Sequence, residues 1–262
     1  VNAMNKILEK QGFICDMDGV IYHGKNILPG AKEFVNWMIE NGKKFVFLTN
    51  SAERTPHELS MKLERMGLQV SAEHFYTSAM ATADFMVRQK PGCTAYVIGE
   101  GALTKALYDQ KIYMNDVNPD YVVVGETRTY SFEKIEKAIE LVNKGAKLIG
   151  CNPDTIGIME KSVIPATGSL IAPIEIATGK KAYFVGKPNP LIVRKALQRL
   201  GLHSSDIAFI GDRMDTDVVA GVESGIDSVL VLSGVSTMET LKDFPFQPKY
   251  ILNGICDLVK DL

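Results

Sequence analysis

Short apolar runs alternate with amphipathic stretches along the chain, and that alternation confines it to an α/β fold in which helices cross between parallel strands. Strands are expected over 12–15, 44–48, 94–98, 121–124, 147–150, 207–210 and 228–232. Helices are expected over 31–41, ended by Gly42, over 131–144, and over about 215–224. Two more carry the punctuation of a cap followed by a first-turn proline: Thr55-Pro56 opens one that runs to Met66, and Asn189-Pro190 opens one that closes at Gly201. A repeated strand-then-helix order places ligands at the carboxyl ends of the strands, so the residues found there are the ones to read for chemistry.

Composition narrows the class. The 262 residues are 46% hydrophobic and 23% charged, enough apolar surface to offset chain entropy, which excludes a disordered protein. The length exceeds one average domain. A net charge of −2 supplies no field for a nucleic acid polymer or an anionic membrane, and no apolar run approaches the roughly 20 residues of a membrane span. Met4-Asn5-Lys6 opens no apolar leader, and Val1-Asn2-Ala3 ahead of it reads as an expression remnant. Cys15, Cys93, Cys151 and Cys256 are scattered, with no Cys-x-x-Cys. The expectation is free thiols in a reducing, cytoplasmic setting.

The strand ends are acidic. In Ile14-Cys15-Asp16-Met17-Asp18-Gly19 an apolar strand runs into two carboxylates two residues apart, which on extended backbone share one face. Like charges about 4 Å apart repel by roughly 4 kcal/mol at an effective dielectric of 20, so such a pair calls for a proton or a cation. A second cluster, Asp212, Asp215 and Asp217, follows the strand that ends Phe209-Ile210-Gly211. Carboxylate oxygens without nearby His or Cys suit Mg²⁺ better than zinc. Asp215 is equally well explained as a charge on the first turn of the next helix. Between the clusters, Phe45-Val46-Phe47-Leu48 ends in Thr49-Asn50-Ser51, a hydroxyl followed by backbone N–H groups fit to cradle an anion. Lys187 follows Tyr183-Phe184-Val185 between a glycine and a proline. A nucleophilic carboxylate, a second acid, a hydroxyl, a lysine and a metal-binding acid together match phosphoryl transfer, where catalysis is positioning and charge neutralisation.

In these motifs, Asp16-x-Asp18-Gly19-Val20, Leu48-Thr49-Asn50, Gly186-Lys187-Pro188 and Gly211-Asp212-x₄-Asp217, the sequence resembles the haloacid dehalogenase superfamily phosphatases. The stretches 75–85, 116–129, 151–155 and 230–235 narrow the resemblance to the NagD-like subfamily, from about Lys6 to the end of the chain. That resemblance implies a Rossmann-like parallel-sheet core, residues 4–78 and 184–262, with an α/β cap inserted at 79–183 that covers the crevice and restricts substrates to small molecules. It implies that Asp16 is the nucleophile and forms an aspartyl-phosphate intermediate, and that Asp18 is the general acid and base. Thr49 and the backbone of Asn50 and Ser51 would hold phosphoryl oxygens, and Lys187 would neutralise Asp16 and the phosphate. Mg²⁺ would be held by Asp16, the Asp18 carbonyl and Asp212, with Asp217 supporting the metal's water shell. Asp18 also favours a phosphatase over the dehalogenase branch, which lacks that second acid.

The Asn152-Pro153-Asp154-Thr155 turn is expected to face the active site, with Asn152 and Asp154 contacting substrate. An ordinary Asx turn is the plainer reading. The Arg128-Thr129 loop and the Thr167-Gly168-Ser169 turn are weaker candidates of the same kind. The expected activity is hydrolysis of a small phosphate monoester, a nucleoside monophosphate such as UMP or a sugar phosphate, by a monomer or homodimer. The alternative is a non-catalytic Mg²⁺-dependent phospho-ligand binder. A nucleotide-cofactor oxidoreductase is disfavoured, because Gly99-Glu100-Gly101 is followed by Thr104 where the dinucleotide fingerprint needs a third glycine. No P-loop motif is present.

Overall fold

The computed structural model describes residues 3–159, 162–260 and 262; Val1 and Asn2 of the expected expression remnant lie outside the described residues. In chain order the strands are β1 (Gly12–Cys15), β2 (Tyr22–His23), β3 (Asn26–Ile27), β4 (Lys44–Thr49) and β5 (Phe75–Thr77). Then come β6 (Thr94–Ile98), β7 (Tyr113–Met114), β8 (Tyr121–Val124), β9 (Lys147–Gly150), β10 (Ile156–Ile158), β11 (Val163–Pro165) and β12 (Tyr183–Phe184). Finally β13 (Ile207–Gly211), β14 (Asp227–Val231) and β15 (Tyr250–Leu252) close the chain.

The chain divides into two compact units. The first comprises Val1–Thr49, Ser60–Tyr76 and Lys187–Leu262, and the second Asn50–Leu59 and Thr77–Gly186. The division thus falls a few residues from the expected boundaries at 78/79 and 183/184, and the segment Asn50–Leu59, expected in the core, goes with the second unit. Its hydrogen bonds explain why: Ala52 and Asn50 are tied to Glu126, Asn152 and Ser78, all in that unit.

The first unit is built on a six-stranded sheet in the order β15-β14-β13-β1-β4-β5. Cys15 of β1 lies opposite Ile210 of β13 on one side and Phe47 of β4 on the other, both pairings parallel. Every residue of β1 and β13 is buried, as expected of central parallel strands covered on both faces. From β1 the chain builds outward through β4 and β5 on one side and returns through β13, β14 and β15 on the other. The order reverses at β1, which puts the ligand crevice at its carboxyl end.

The second unit carries a parallel sheet in the order β12-β9-β8-β6-β7 and a separate antiparallel hairpin of β10 and β11. Val122, Val124, Leu141, Leu148, Ile171 and Ile174 form its core. The helix Phe132–Asn143 starts where Ser131 accepts from the Lys134 amide at 3.3 Å, the capping bond that leaves one fewer orphan donor at its first turn.

One element departs from its expected form. Residues 215–224 do not make a regular α-helix: a π-helical turn, Met214–Val218, precedes a short helix, Val219–Glu223. The wider turn brings the Asp217 carboxylate back onto the amides of Asp212 and Arg213, each at 3.2 Å. Such turns recur at functional sites. No helix among the described residues is long and apolar enough to cross a membrane.

Candidate active site

Asp16 leaves β1 with its amide bonded to the Ile210 carbonyl at 2.9 Å, so it stands at the carboxyl edge of the sheet between β13 and β4. Lys187 arrives beside it from the chain's return into the first unit. Its Nζ lies 3.1 Å from Asp16 Oδ1, 2.7 Å from Asp217 Oδ1 and 3.0 Å from the Leu48 carbonyl. Three acceptors match the three N–H donors of an ammonium. Lys187 is only 2% exposed. Burial alone would lower its pKa, but the Asp16 and Asp217 carboxylates outweigh that and hold it above the ordinary lysine value. Lys187 is therefore a permanent positive charge in the floor of the site.

Asp217 is engaged on both oxygens. Oδ1 takes the Lys187 ammonium, and Oδ2 accepts from the Asp212 and Arg213 amides. Asp212 is engaged on one: Oδ2 accepts from the Val235 amide at 2.8 Å, while buried Oδ1 meets no hydrogen-bond donor among the described residues. Two glycines make room for this carboxylate. At Gly19, with φ 80°, a Cβ would stand 2.5 Å from Asp212 Oδ2, and at Gly234 it would collide with the same side chain.

A buried carboxylate oxygen without a donor is costly unless something positive meets it. Burial first, then the charges of Asp16 and Asp217, push the Asp212 carboxyl up to about 8. Asp16, Asp212 and Asp217 each offer a ligand atom within 4.8 Å of the others. This all-oxygen donor set fits a hard divalent cation. With Asp217 occupied by Lys187 and two amides, the open ligand atoms are those of Asp16 and Asp212. Asp215 is outside the cluster, paired with Arg213 through two bonds of 3.0 and 2.8 Å.

Asp18 and Thr49 stand at the same edge. Thr49 is the last residue of β4, parallel to β1. Asp18 is exposed, its side chain 59% accessible, and His23 Nδ1 lies 3.4 Å from its Oδ1. Sequence reasoning misses His23. Its only signal is the Gly24-Lys25 turn two residues long, which marks a hairpin that carries it back toward Asp18.

The remaining expected residues belong to the second unit. Asn152 is fully buried. Its Nδ2 donates to the Asn50 carbonyl at 2.7 Å, to Glu126 Oε1 at 2.8 Å and to Thr167 Oγ1 at 3.3 Å, and its Oδ1 accepts from the Asp154 amide at 3.2 Å. Asn152 thus forms the Asx turn, with its side chain hydrogen-bonded within its own unit. Asp154 accepts from Asn50 Nδ2 at 3.2 Å, and the Ser51 hydroxyl from the Glu53 amide at 3.3 Å. Glu126 is a residue that no motif points to. It accepts from the Ala52 amide at 3.1 Å, and burial, against the hydrogen bonds it accepts, pushes its carboxyl up to about 7.

Comparison with known proteins places the chain in a family. The sequence model described as haloacid dehalogenase-like hydrolase matches residues 13–112, and a second, for HAD-hydrolase-like chains, matches 184–258. The chain is 46% identical to the dihydroxyacetone phosphatase of Corynebacterium glutamicum (strain R) over 94% of this chain and 90% of that one. It is 43% identical to the ribonucleotide monophosphatase NagD of Escherichia coli (strain K12) over 94% of this chain and 96% of the relative. The crystal structure of a 4-nitrophenylphosphatase from Thermotoga maritima superposes with a TM-score of 0.92 at 34% identity, covering 99% of both chains.

Proposed function

The chain belongs to the haloacid dehalogenase-like hydrolases, on their NagD-like branch, and is a phosphoric monoester hydrolase; from that premise we propose that it hydrolyses small phosphate monoesters with Mg²⁺ through a phosphoryl group carried on Asp16. The observation that carries this reading is the Lys187 ammonium held between Asp16 and Asp217, beside the unpartnered oxygen of Asp212.

The first unit carries the chemistry, and the second is inserted within its chain. An Asp16 oxygen attacks phosphorus, and the ester oxygen leaves with a proton from Asp18. Asp18, now ionised, takes a proton from the water that then attacks the aspartyl phosphate, and Asp16 is regenerated with release of inorganic phosphate. Lys187 offsets charge on Asp16 and on the phosphoryl oxygens, and its fixed position requires no reorganisation as charge moves. Asp217 keeps Lys187 in place and orients the Asp212 backbone. The Thr49 hydroxyl donates to phosphoryl oxygens. Mg²⁺, held by Asp16, the Asp18 carbonyl and Asp212, would supply a concentrated positive charge that phosphoryl transfer draws on.

The substrate class is a small alkyl phosphate, a sugar phosphate or a nucleoside monophosphate such as UMP. Support comes from relatives named dihydroxyacetone phosphatase, ribonucleotide monophosphatase and acid sugar phosphatase. Four free cysteines, three of them buried, support a reducing, cytoplasmic setting. The test is kcat/KM for phosphate release across triose phosphates, sugar phosphates and nucleoside monophosphates, with Mg²⁺ and with EDTA. Turnover of at least one class, abolished by EDTA, is expected. Tight binding without release would instead make the chain a phospho-ligand binder.

A further inference from the structure

Asp18 has a neighbour that its proposed role leaves unexplained. The backbone after Asp18 doubles back within four residues: Gly19 donates to the Tyr22 carbonyl at 2.8 Å, and a bridge pairs Asp18 with Tyr22. Tyr22 and His23 form β2, paired antiparallel with β3 so that His23 lies opposite Asn26. Tyr22 is buried, and the Lys62 ammonium sits 3.9 Å over its ring. The next residue, His23, therefore rides on a fixed backbone and not on a free loop. Its Nδ1 lies 3.4 Å from Asp18 Oδ1.

We propose that His23 is a positioning residue for Asp18: Nδ1, 3.4 Å from Asp18 Oδ1 without substrate, closes to a hydrogen bond from its N–H as the ester binds and holds the carboxyl group so that Oδ2 carries the proton delivered to the leaving oxygen. This rests on the acid–base role read for Asp18. A carboxyl group holds one proton on either of two oxygens, and rotation about its last bond exchanges them. An oxygen of the carboxyl accepts from Nδ1–H whether the proton is on the other oxygen or gone. One contact therefore serves both half-reactions, with Oδ2 releasing its proton to the ester oxygen and later taking one from water. Both side chains are about half exposed, so the contact is a modest one, and its removal is expected to slow proton delivery by about threefold to fivefold.

The test compares two esters by kcat/KM, which reports the first phosphoryl transfer. An alkyl monoester such as glycerol 1-phosphate leaves as an alkoxide and needs the proton, whereas 4-nitrophenolate leaves without one. His23→Ala should lower kcat/KM for the alkyl ester about threefold to fivefold and leave the nitrophenyl ester within error. His23→Asn, which keeps a donor near the Nδ1 position, should restore most of the loss. In an Asp18→Asn background His23→Ala should have no further effect on the alkyl ester. Equal losses on the two esters, or a loss that persists in that background, would overturn the proposal. If Asp18→Asn itself leaves the alkyl ester unaffected, the acid–base reading fails and takes this one with it. If Asp18→Asn slows it and His23→Ala does not, only the role of His23 falls.

Discussion

The Asp217 carboxylate holds the Lys187 ammonium at 2.7 Å, with both side chains almost completely withdrawn from water. Neither charge would be tolerable there alone, and the pair is what allows a lysine to stand under Asp16. Replacing Lys187 by Met should therefore do two things. Turnover should vanish, and stability should fall by about 3 kcal/mol because Asp217 is left buried without its partner. Urea unfolding measures the second effect. An unchanged midpoint would mean that the pair does not hold the site together.

The open oxygen of Asp212 and the engaged oxygens of Asp217 predict that a bound cation would use Asp212 and not Asp217. Mg²⁺ at about 100 times its Kd should stabilise the wild-type protein by about 2.7 kcal/mol through mass action, read as a rise in melting temperature. Asp212→Asn should lose most of that rise. Asp215→Asn should keep it, because Asp215 is paired with Arg213 outside the cluster. An equal Mg²⁺ response in Asp212→Asn and wild type would contradict the assignment.

Gly234 should accept no side chain. A methyl group there would displace the Asp212 carboxylate, so Gly234→Ala is expected to bind Mg²⁺ at least about tenfold more weakly, comparable to losing a residue that orients a ligand. Titration calorimetry gives the value directly, and wild-type affinity would show that Asp212 does not need that space.

Glu126 should make stability pH-dependent. Its folded pKa, about 7, lies above the ordinary 4.5, so between those values the native state keeps a proton that the unfolded chain has released. The stability from this proton is complete below about pH 4.5 and is lost as the pH rises through about 7. The urea midpoint should therefore fall from pH 5 to pH 8. Glu126→Gln cannot titrate, and its fall over the same range should be smaller. Identical falls in the two proteins would remove Glu126 as the source.

Asp16, Lys187 and Asp212 are legible in the amino-acid sequence, because each ends or follows a continuous apolar run and only a strand end explains a charge there. The parallel core is legible for the same reason. Asp217 is legible as a site residue but not as the partner of Lys187, since the π-helical turn that folds it back has no periodicity signal distinct from a helix. His23 and Glu126 are not legible. His23 lies on a strand of two residues, too short for any alternation, and Glu126 acquires its meaning from Ala52, 74 positions away. Asn152 reads as a substrate contact because a polar turn after a strand looks like a site. What the sequence does not show is that its amide is fully buried and donates to the Asn50 carbonyl, 102 positions away.

The mechanism stands or falls with Asp16 as the nucleophile. Phosphate release from a small alkyl monoester, followed with Mg²⁺ for wild type and for Asp16→Asn purified alike, tests it most directly. Wild type should turn over steadily, and the variant should be slower by at least about a thousandfold while still unfolding cooperatively. Equal rates in the two proteins would contradict the mechanism at its first step.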